Sequence, residues 1–593
     1  MRFPVLPPSW SWRASISILT KCINSYEGPA SNGPPQPYLQ LEGERPPIAN
    51  MVLGKLDGYA LEVTLTAANS AAQAWYGYDQ VLEPASISLT ESFLLKDRKG
   101  VISGILISSD FINTFPQTKD ADIQGITASC FSLGNLVGCL LAAVFGDRLG
   151  RKNTLRCGAA VSAIGAVLQF AAATFPMLIV GRVINGFGNG MTSSTCGIYQ
   201  AESCRGARRG KLSVIVVLHN VIFYMIGSWL TLGCSFSGSG VQWRLPLAIQ
   251  LVPCFVLVSL LPLLPESPRW LLMHDRTDEA HEALRRYLGK ALAHDDPIVT
   301  KELMSISGAI EIERRSHISF KQVLLQRDRS GHLKRLLLGC GTQFMQQFGG
   351  INALNYYFPV ILENNIGMSE LMARILTGCN ATSYAISSAL CFWMIERFGR
   401  RSLMMYGAAL QFLAYVMVAI AVALLSTAPF EWGAVAITFL FFYYAAFGCT
   451  WGMVPWVYQA EVNSLAMRTR GAAAATATNW LFGFVCTQFT PVGIRDIGYR
   501  FYIIFACFNL IFIFVVYFLY PETSNRTLED LDAYFDKDSP HRTIIPIGDR
   551  VAKQRSRPAE AIEAEQMRIE AAEMGKDVDA SKTHTTHIEH IEP

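Results

Sequence analysis

Apolar residues run along this chain in stretches of roughly 20, each long enough to cross a ~30 Å hydrocarbon layer as a helix. They fall at roughly 59–79, 122–145, 155–174, 177–200, 212–234 and 244–264, then at roughly 334–362, 371–395, 403–425, 432–460, 472–494 and 499–520. The pattern predicts an all-α membrane protein with about twelve transmembrane helices in two sets of six. The stretch between the sets is polar and rich in charge, with a helical period around Asp278–Leu288. Residues 1–55 are rich in Pro, Ser and Gly, with Pro34-Pro35 and Pro46-Pro47 as breakers, and lack the apolar core of a signal peptide. The expected organisation is a disordered tail over 1–55, a first six-helix half over 56–265 and a cytoplasmic linker with short helices over 266–332. A second half over 333–520 and a cytoplasmic tail over 521–593 complete it.

Composition agrees. Of 593 residues, 51% are hydrophobic and 16% charged, well below the quarter usual in soluble domains. A formal charge of +3 gives no basic footprint for nucleic acid. The 14 cysteines show no metal-ligand or disulfide spacing, and residues such as Cys130, Cys139, Cys340 and Cys449 sit inside apolar runs as small hydrophobes. No nucleophile elbow, HExxH or P-loop pattern occurs, so nothing points to an enzyme, a cofactor or a metal. Lys and Arg crowd alternate loops: Arg148, Arg151, Lys152 and Arg156 in one, Arg205, Arg208, Arg209 and Lys211 in another, with Arg397, Arg400 and Arg401, then Arg468 and Arg470, in the second half. The loops Ser235–Gln242 and Glu363–Glu370 hold none. Basic loops face the cytoplasm, which places both termini there.

The two halves repeat one another. Asp147-Arg148-Leu149-Gly150-Arg151-Lys152 returns as Glu396-Arg397-Phe398-Gly399-Arg400-Arg401. Glu202 with Arg209 returns as Glu461 with Arg468, and Pro265-Glu266-Ser267 as Pro521-Glu522-Thr523. Three features in one order at a spacing of roughly 250–260 residues mark an internal duplication, which implies a binding site between the halves. Candidate binding groups follow. Gln346, Gln347 and Asn352 lie in the seventh span, where a buried amide needs partners and offers a ligand both donor and acceptor. Helix–helix hydrogen bonding is the alternative use of such amides.

With Gly181-Arg182, Pro265–Trp270, Gln346–Asn352 and Val454-Pro455-Trp456 through Asn479-Trp480, these motifs resemble the sugar porter family of the major facilitator superfamily. The resemblance covers about residues 56–535, in wording closest to fungal members. It implies two pseudo-symmetric six-helix halves and alternating access. Gln346, Gln347, Asn352, Trp456 and Asn479 would bind sugar, and Tyr356 and Tyr357 would form an outer gate. Asp147, Arg148, Arg151, Glu202, Arg209, Glu396, Arg397, Arg400, Glu461 and Arg468 would gate the cytoplasmic side. The implied partners are a sugar, protons and membrane lipid, for a monomer in the plasma membrane. The family commonly carries a binding Gln eight residues after the Arg209 position, and here Val217 stands instead, which permits a disaccharide or other polyol.

Asp79 closes the first apolar run, where a carboxylate is expensive unless paired or protonated. By resemblance it matches the proton-carrying Asp of symporters, with Arg182 as its partner; a static ion pair is the alternative. The expected activity is proton-coupled import of a hexose or related sugar. The alternatives are a facilitative uniporter or a transporter-like sensor, although sensors carry tails longer than Asp536–Pro593. Residues 81–99 interrupt Gly77-Tyr78-Asp79-Gln80 and Gly100-Val101-Ile102-Ser103-Gly104 with polar, charged text. Removing them restores the family's first helix, and Val and Lys codons can supply GT and AG ends, so the segment reads as a retained intron or gene-model error. A real loop that splits the first helix is the alternative, at the cost of placing several charges in the bilayer. The tail before Met51 reads as a misplaced start.

Overall fold

The computed structural model describes residues 56–82, 114–119, 121–204, 206–237, 241–289, 296–315, 331–362, 366–464, 467–524, 531 and 534–535. The 1–55 segment, all of 81–99 but its first two residues, and the tail beyond 535 lie outside them. Among the described residues the chain is helical, without strands. The first set of spans is α1 (Tyr59–Leu82), α2 (Ala121–Leu149), α3 (Arg151–Phe170), α4 (Phe175–Ser203) and α5 (Gly206–Ser235), then a sixth in two pieces, α6 (Val241–Ile249) and α7 (Leu251–Leu260). Three shorter helices follow: α8 (Pro268–Met273), α9 (Thr277–Leu288) and α10 (Pro297–Arg315). The second set runs α11 (His332–Phe348) with α12 (Ile351–Val360), α13 (Glu370–Phe398), α14 (Arg400–Leu424), α15 (Pro429–Cys449) with α16 (Val454–Val462), α17 (Arg468–Ile497) and α18 (Arg500–Leu519).

The twelve expected spans are present, yet three are broken where the hydropathy is continuous. In the seventh span Gly349-Gly350 supplies the break, and Gly350 sits at φ 92°. A Cβ there would lie 2.0 Å from the Tyr415 hydroxyl oxygen, so only glycine fits. Freed backbone carbonyls at the break find donors: Tyr443 donates to Gly349 O (2.8 Å) and Tyr415 to Gly350 O (3.1 Å). Such replacement partners are what make a broken helix tolerable inside a membrane. The tenth span breaks at Thr450–Met453, where Trp451 Nε1 is held on Met404 O (3.0 Å). In the sixth span Pro253 has no N–H to close a bond to Ile249, and the chain breaks at Gln250.

Helical stretches in the second, fifth, sixth, ninth, tenth and twelfth spans are apolar enough to cross a membrane by composition alone. The others are diluted by buried polar groups such as Asn69 and Asp79 in α1, Arg182 and Asn185 in α4, and Gln343 and Gln346 in α11. The dips in hydropathy therefore mark where chemistry is concentrated.

The largest apolar core lies in the second half around Tyr415, Tyr443, Tyr444 and Trp451, and α5 packs Val217, Val221 and Tyr224 against it. The halves meet at the end of the bundle remote from the Gly150 and Gly399 turns. There Ser129 donates to Gln488 Oε1 (2.6 Å), Trp229 Nε1 to Thr382 (3.0 Å) and Arg374 to Thr231 O (3.5 Å).

Candidate functional site

The breaks in the seventh and tenth spans face each other across a run of linked amides. Gln346 Nε2 donates to the exposed-by-breakage carbonyl of Trp451 (2.7 Å). Its Oε1 accepts from Asn479 Nδ2 on α17 (2.9 Å), and the same amide donates to Gln343 Oε1 (2.7 Å). Gln343 in turn donates to Gln459 Oε1 on α16 (3.2 Å). Across the Gly349-Gly350 break, Asn352 Nδ2 reaches back to Gln347 Oε1 (2.6 Å). All six side chains are buried. An amide keeps both a donor and an acceptor, so such a run can exchange internal partners for ligand hydroxyls without leaving a buried group orphaned.

The first half presents the opposite chemistry. Asp79, buried in the last turn of α1, accepts from Asn185 Nδ2 on α4 (2.7 Å) and lies within electrostatic reach of Arg182. Arg182 and Asn185 are three residues apart on α4, one turn along the same face. Tyr76 joins the two regions: a turn before Asp79, it meets Trp480 edge-on with ring centroids 5.1 Å apart. Trp480 is the neighbour of Asn479, and Gln80 Nε2 donates to the Tyr76 hydroxyl (2.5 Å).

A third cluster sits at the charged end, built twice. Arg151 grips Glu202 through Nε and Nη2 (both 2.8 Å) and Asp147 through Nη1 (2.8 Å), while Ser267 donates to Glu202 (2.7 Å). Arg400 grips Glu461 likewise (3.1 and 2.8 Å), and Thr523 donates to Glu461 (2.6 Å). Gly150 (φ 85°) and Gly399 (φ 81°) make the turns that open α3 and α14. Into each turn comes a carboxylate from the end of its own half. Glu266 accepts from the backbone N–H of Arg151 (3.0 Å) and Lys152 (3.2 Å), and Glu522 from Arg400 (2.9 Å) and Arg401 (3.0 Å). A negative charge at a helix N-terminus meets both the free N–H groups and the helix dipole. Burial pushes the Glu266 carboxyl above the ordinary carboxylate range, against the pull of the Ser267, Lys152 and Arg151 donors. Trp270 Nε1 closes the first-half turn on Asp147 O (2.7 Å).

The family model for "Sugar (and other) transporter" matches residues 87–535. The chain belongs to this family. The transporter is 37% identical over 543 residues to the MFS-type transporter oryC of Aspergillus oryzae, covering 91% of this chain and 96% of that one. It is 34% identical over 497 residues to the sugar transporter STL1 of Saccharomyces cerevisiae, covering 81% and 82%. The fold matches the E. coli xylose transporter XylE, seen as a proton:xylose symporter bound to 6-bromo-6-deoxy-D-glucose, with a TM-score of 0.65 at 22% identity over 80% of this chain and 99% of that one. It is therefore a multi-pass membrane transporter of the major facilitator fold, not an enzyme.

Of the residues singled out in the transporter's sequence, Gln346 and Asn479 come together in the amide run, and Gln347 and Asn352 pair across the Gly349-Gly350 break. Trp456 is half-buried on α16, three residues before Gln459. Tyr357 is fully buried and donates to Thr487 O (3.2 Å). Arg148 is exposed, and Arg397 lies over the Trp393 ring at 4.7 Å. The side chains of Tyr356, Arg209, Glu396 and Arg468 lie outside the described residues. Sequence reasoning passed over Gln343, Gln459, Asn185 and Gln250. The signal was helical spacing: Gln343 lies three residues before Gln346, and Asn185 three after Arg182.

Proposed function

We propose that the transporter imports a hexose or related sugar together with a proton, by alternating access of the 56–265 and 333–520 halves about the 266–332 linker. The observation that carries this is a membrane-buried carboxylate, Asp79, set beside Arg182 and joined through Tyr76 and Trp480 to a buried amide run. A carboxylate in that place is costly unless it is paired or takes up a proton. Asp79 binds a proton from outside and releases Arg182, while Gln346, Gln347, Asn352, Asn479 and Trp456 hold the sugar and Tyr356 and Tyr357 close over it. Relatives named a high-affinity glucose transporter in Kluyveromyces lactis (30% identical) and a sugar transporter in yeast support a sugar substrate.

The basic loops set the Gly150 and Gly399 turns in the cytoplasm, with the chain a monomer in the plasma membrane. In that orientation the contacts between the halves lie on the outer side, so the outer gate is shut. The Arg151–Glu202 and Arg400–Glu461 clusters, with Asp147, Arg148, Arg209, Glu396, Arg397 and Arg468, form the inner gate. Residues 81–99 are read as intron sequence, tested by whether most messages carry it.

The experiment is labelled-glucose uptake in cells lacking hexose carriers, with and without residues 81–99 and with and without a protonophore. Collapse with the protonophore, and loss of accumulation in D79N, are expected; accumulation that survives in D79N overturns the coupling. A second reading rests on Val217, which brings methyl groups to the interface of the halves where a Gln is usual. It favours a disaccharide or polyol, and predicts uptake of those compounds in cells that take up no glucose.

A further inference from the structure

Asp79 sits at the end of a short, dry chain of amides that has no acid or base of its own. Gln250, at the break of the sixth span, donates through Nε2 to Leu247 O (2.7 Å), which turns its Oε1 toward α4. That oxygen accepts from Asn185 Nδ2 (3.2 Å), and the same amide donates to Asp79 Oδ2 (2.7 Å). Asp79 is 1% exposed, and Asn185 and Gln250 are both at 0%, so water does not compete for these bonds.

The backbone of Asn185 is clamped as well. Ser162 on α3 donates to Asn185 O (3.0 Å), and a Cβ at Gly165 would lie 2.3 Å from Asn185 N, so α3 holds this turn of α4 at van der Waals distance. The charged and titratable groups within electrostatic reach of Asp79 among the described residues are Arg182 and Tyr78. Arg182 comes from α4, and Tyr78 is next to Asp79 on α1, its hydroxyl donating to Pro246 O (3.1 Å). Cys234 of α5 lies near Tyr78, and Cys254 of α7 is turned to Ala159 O (3.6 Å).

We propose that Asn185, oriented by Gln250, is a positioning residue that sets the pH at which Asp79 takes up its proton; as a statement about transport this rests on the symport reading above. A donor aimed at a buried carboxylate favours its charged form. Asn185 Oδ1 is buried and accepts nothing among the described residues. A protonated Asp79 gains an O–H, and rotation of the Asn185 amide brings this oxygen round to accept it. Arg182 attracts the charge, whereas the amide serves both protonation states, which a second cation could not do.

The test is an infrared titration of the purified, full-length protein, following the protonated-carboxyl band that D79N removes, together with the pH profile of uptake. In N185L the midpoint of the band rises by about one pH unit, the size expected when one charge-assisted donor is lost from a buried group. Q250L, which frees the donor to rotate, moves it the same way by less, and N185S, which keeps a donor, also moves it less than N185L. If N185L does not reach the membrane, Q250L and N185S carry the same measurement. A midpoint unmoved in every variant that folds overturns the inference. A shifted midpoint with uptake that ignores pH and protonophore leaves the role of Asn185 standing and sinks the symport reading instead.

Discussion

Replacing Glu522 by Ala tests whether the repeated Pro-Glu-Ser/Thr motif acts as a helix cap. The Glu522 carboxylate accepts four backbone N–H groups: Arg400 at 2.9 Å, and Arg401, Thr523 and Ser524 at 3.0 Å. Two of these open α14, so E522A removes an N-terminal cap worth about 1 kcal/mol and a favourable charge at the helix dipole worth about 0.5–1 kcal/mol. The other two bonds add roughly 0.5–1 kcal/mol, since Glu522 is only half-buried and water replaces part of what is lost. The sum is about 2–3 kcal/mol. For a unit of ~150–250 residues, near the size of one half, about 2–4 °C of melting temperature goes with each kcal/mol. E522A in detergent should therefore melt roughly 5–10 °C below the parent by scanning fluorimetry. E522Q, which keeps an acceptor and loses the charge, should fall between the two. An E522A melting temperature within about 1 °C of the parent refutes the capping argument.

Glu266 holds the same post in the first half, but burial raises its carboxyl above its value in the unfolded chain. Its contribution should then grow as pH falls through that raised value, and the melting-temperature difference between parent and E266Q should move in the parent's favour as pH is lowered from neutral toward the ordinary carboxylate range. N479L removes the donor shared by Gln343 and Gln346, and labelled-sugar uptake at equal surface expression should drop about tenfold or more, matching one to two lost hydrogen bonds. V217Q puts an amide where α5 faces the second half, and the KM for glucose should fall several-fold; an unchanged KM removes Val217 from the argument about specificity.

The number of spans was legible because lipid forces a run of apolar residues on every crossing helix. The breaks were not, because Gly349-Gly350 and Thr450–Met453 interrupt backbone hydrogen bonding without interrupting hydrophobicity. The charged turns were read as sequence repeats, and their contact with Glu266 and Glu522 came only with the structure, since more than 100 residues separate the partners. Gln346 was found from its motif. Gln459 and Gln250 were passed over because a lone amide in an apolar run carries no pattern, and only the fold shows whom it meets.

The edge-on contact of Tyr76 with Trp480 joins helices from different halves, and the indole is 4% exposed. Any swing that parts the halves there must expose that ring to a new medium. Indole emission shifts in colour and intensity with its surroundings, so the molecule carries its own optical gauge of gate position. With the other tryptophans replaced, opening and closing could be timed by fluorescence in an unlabelled protein.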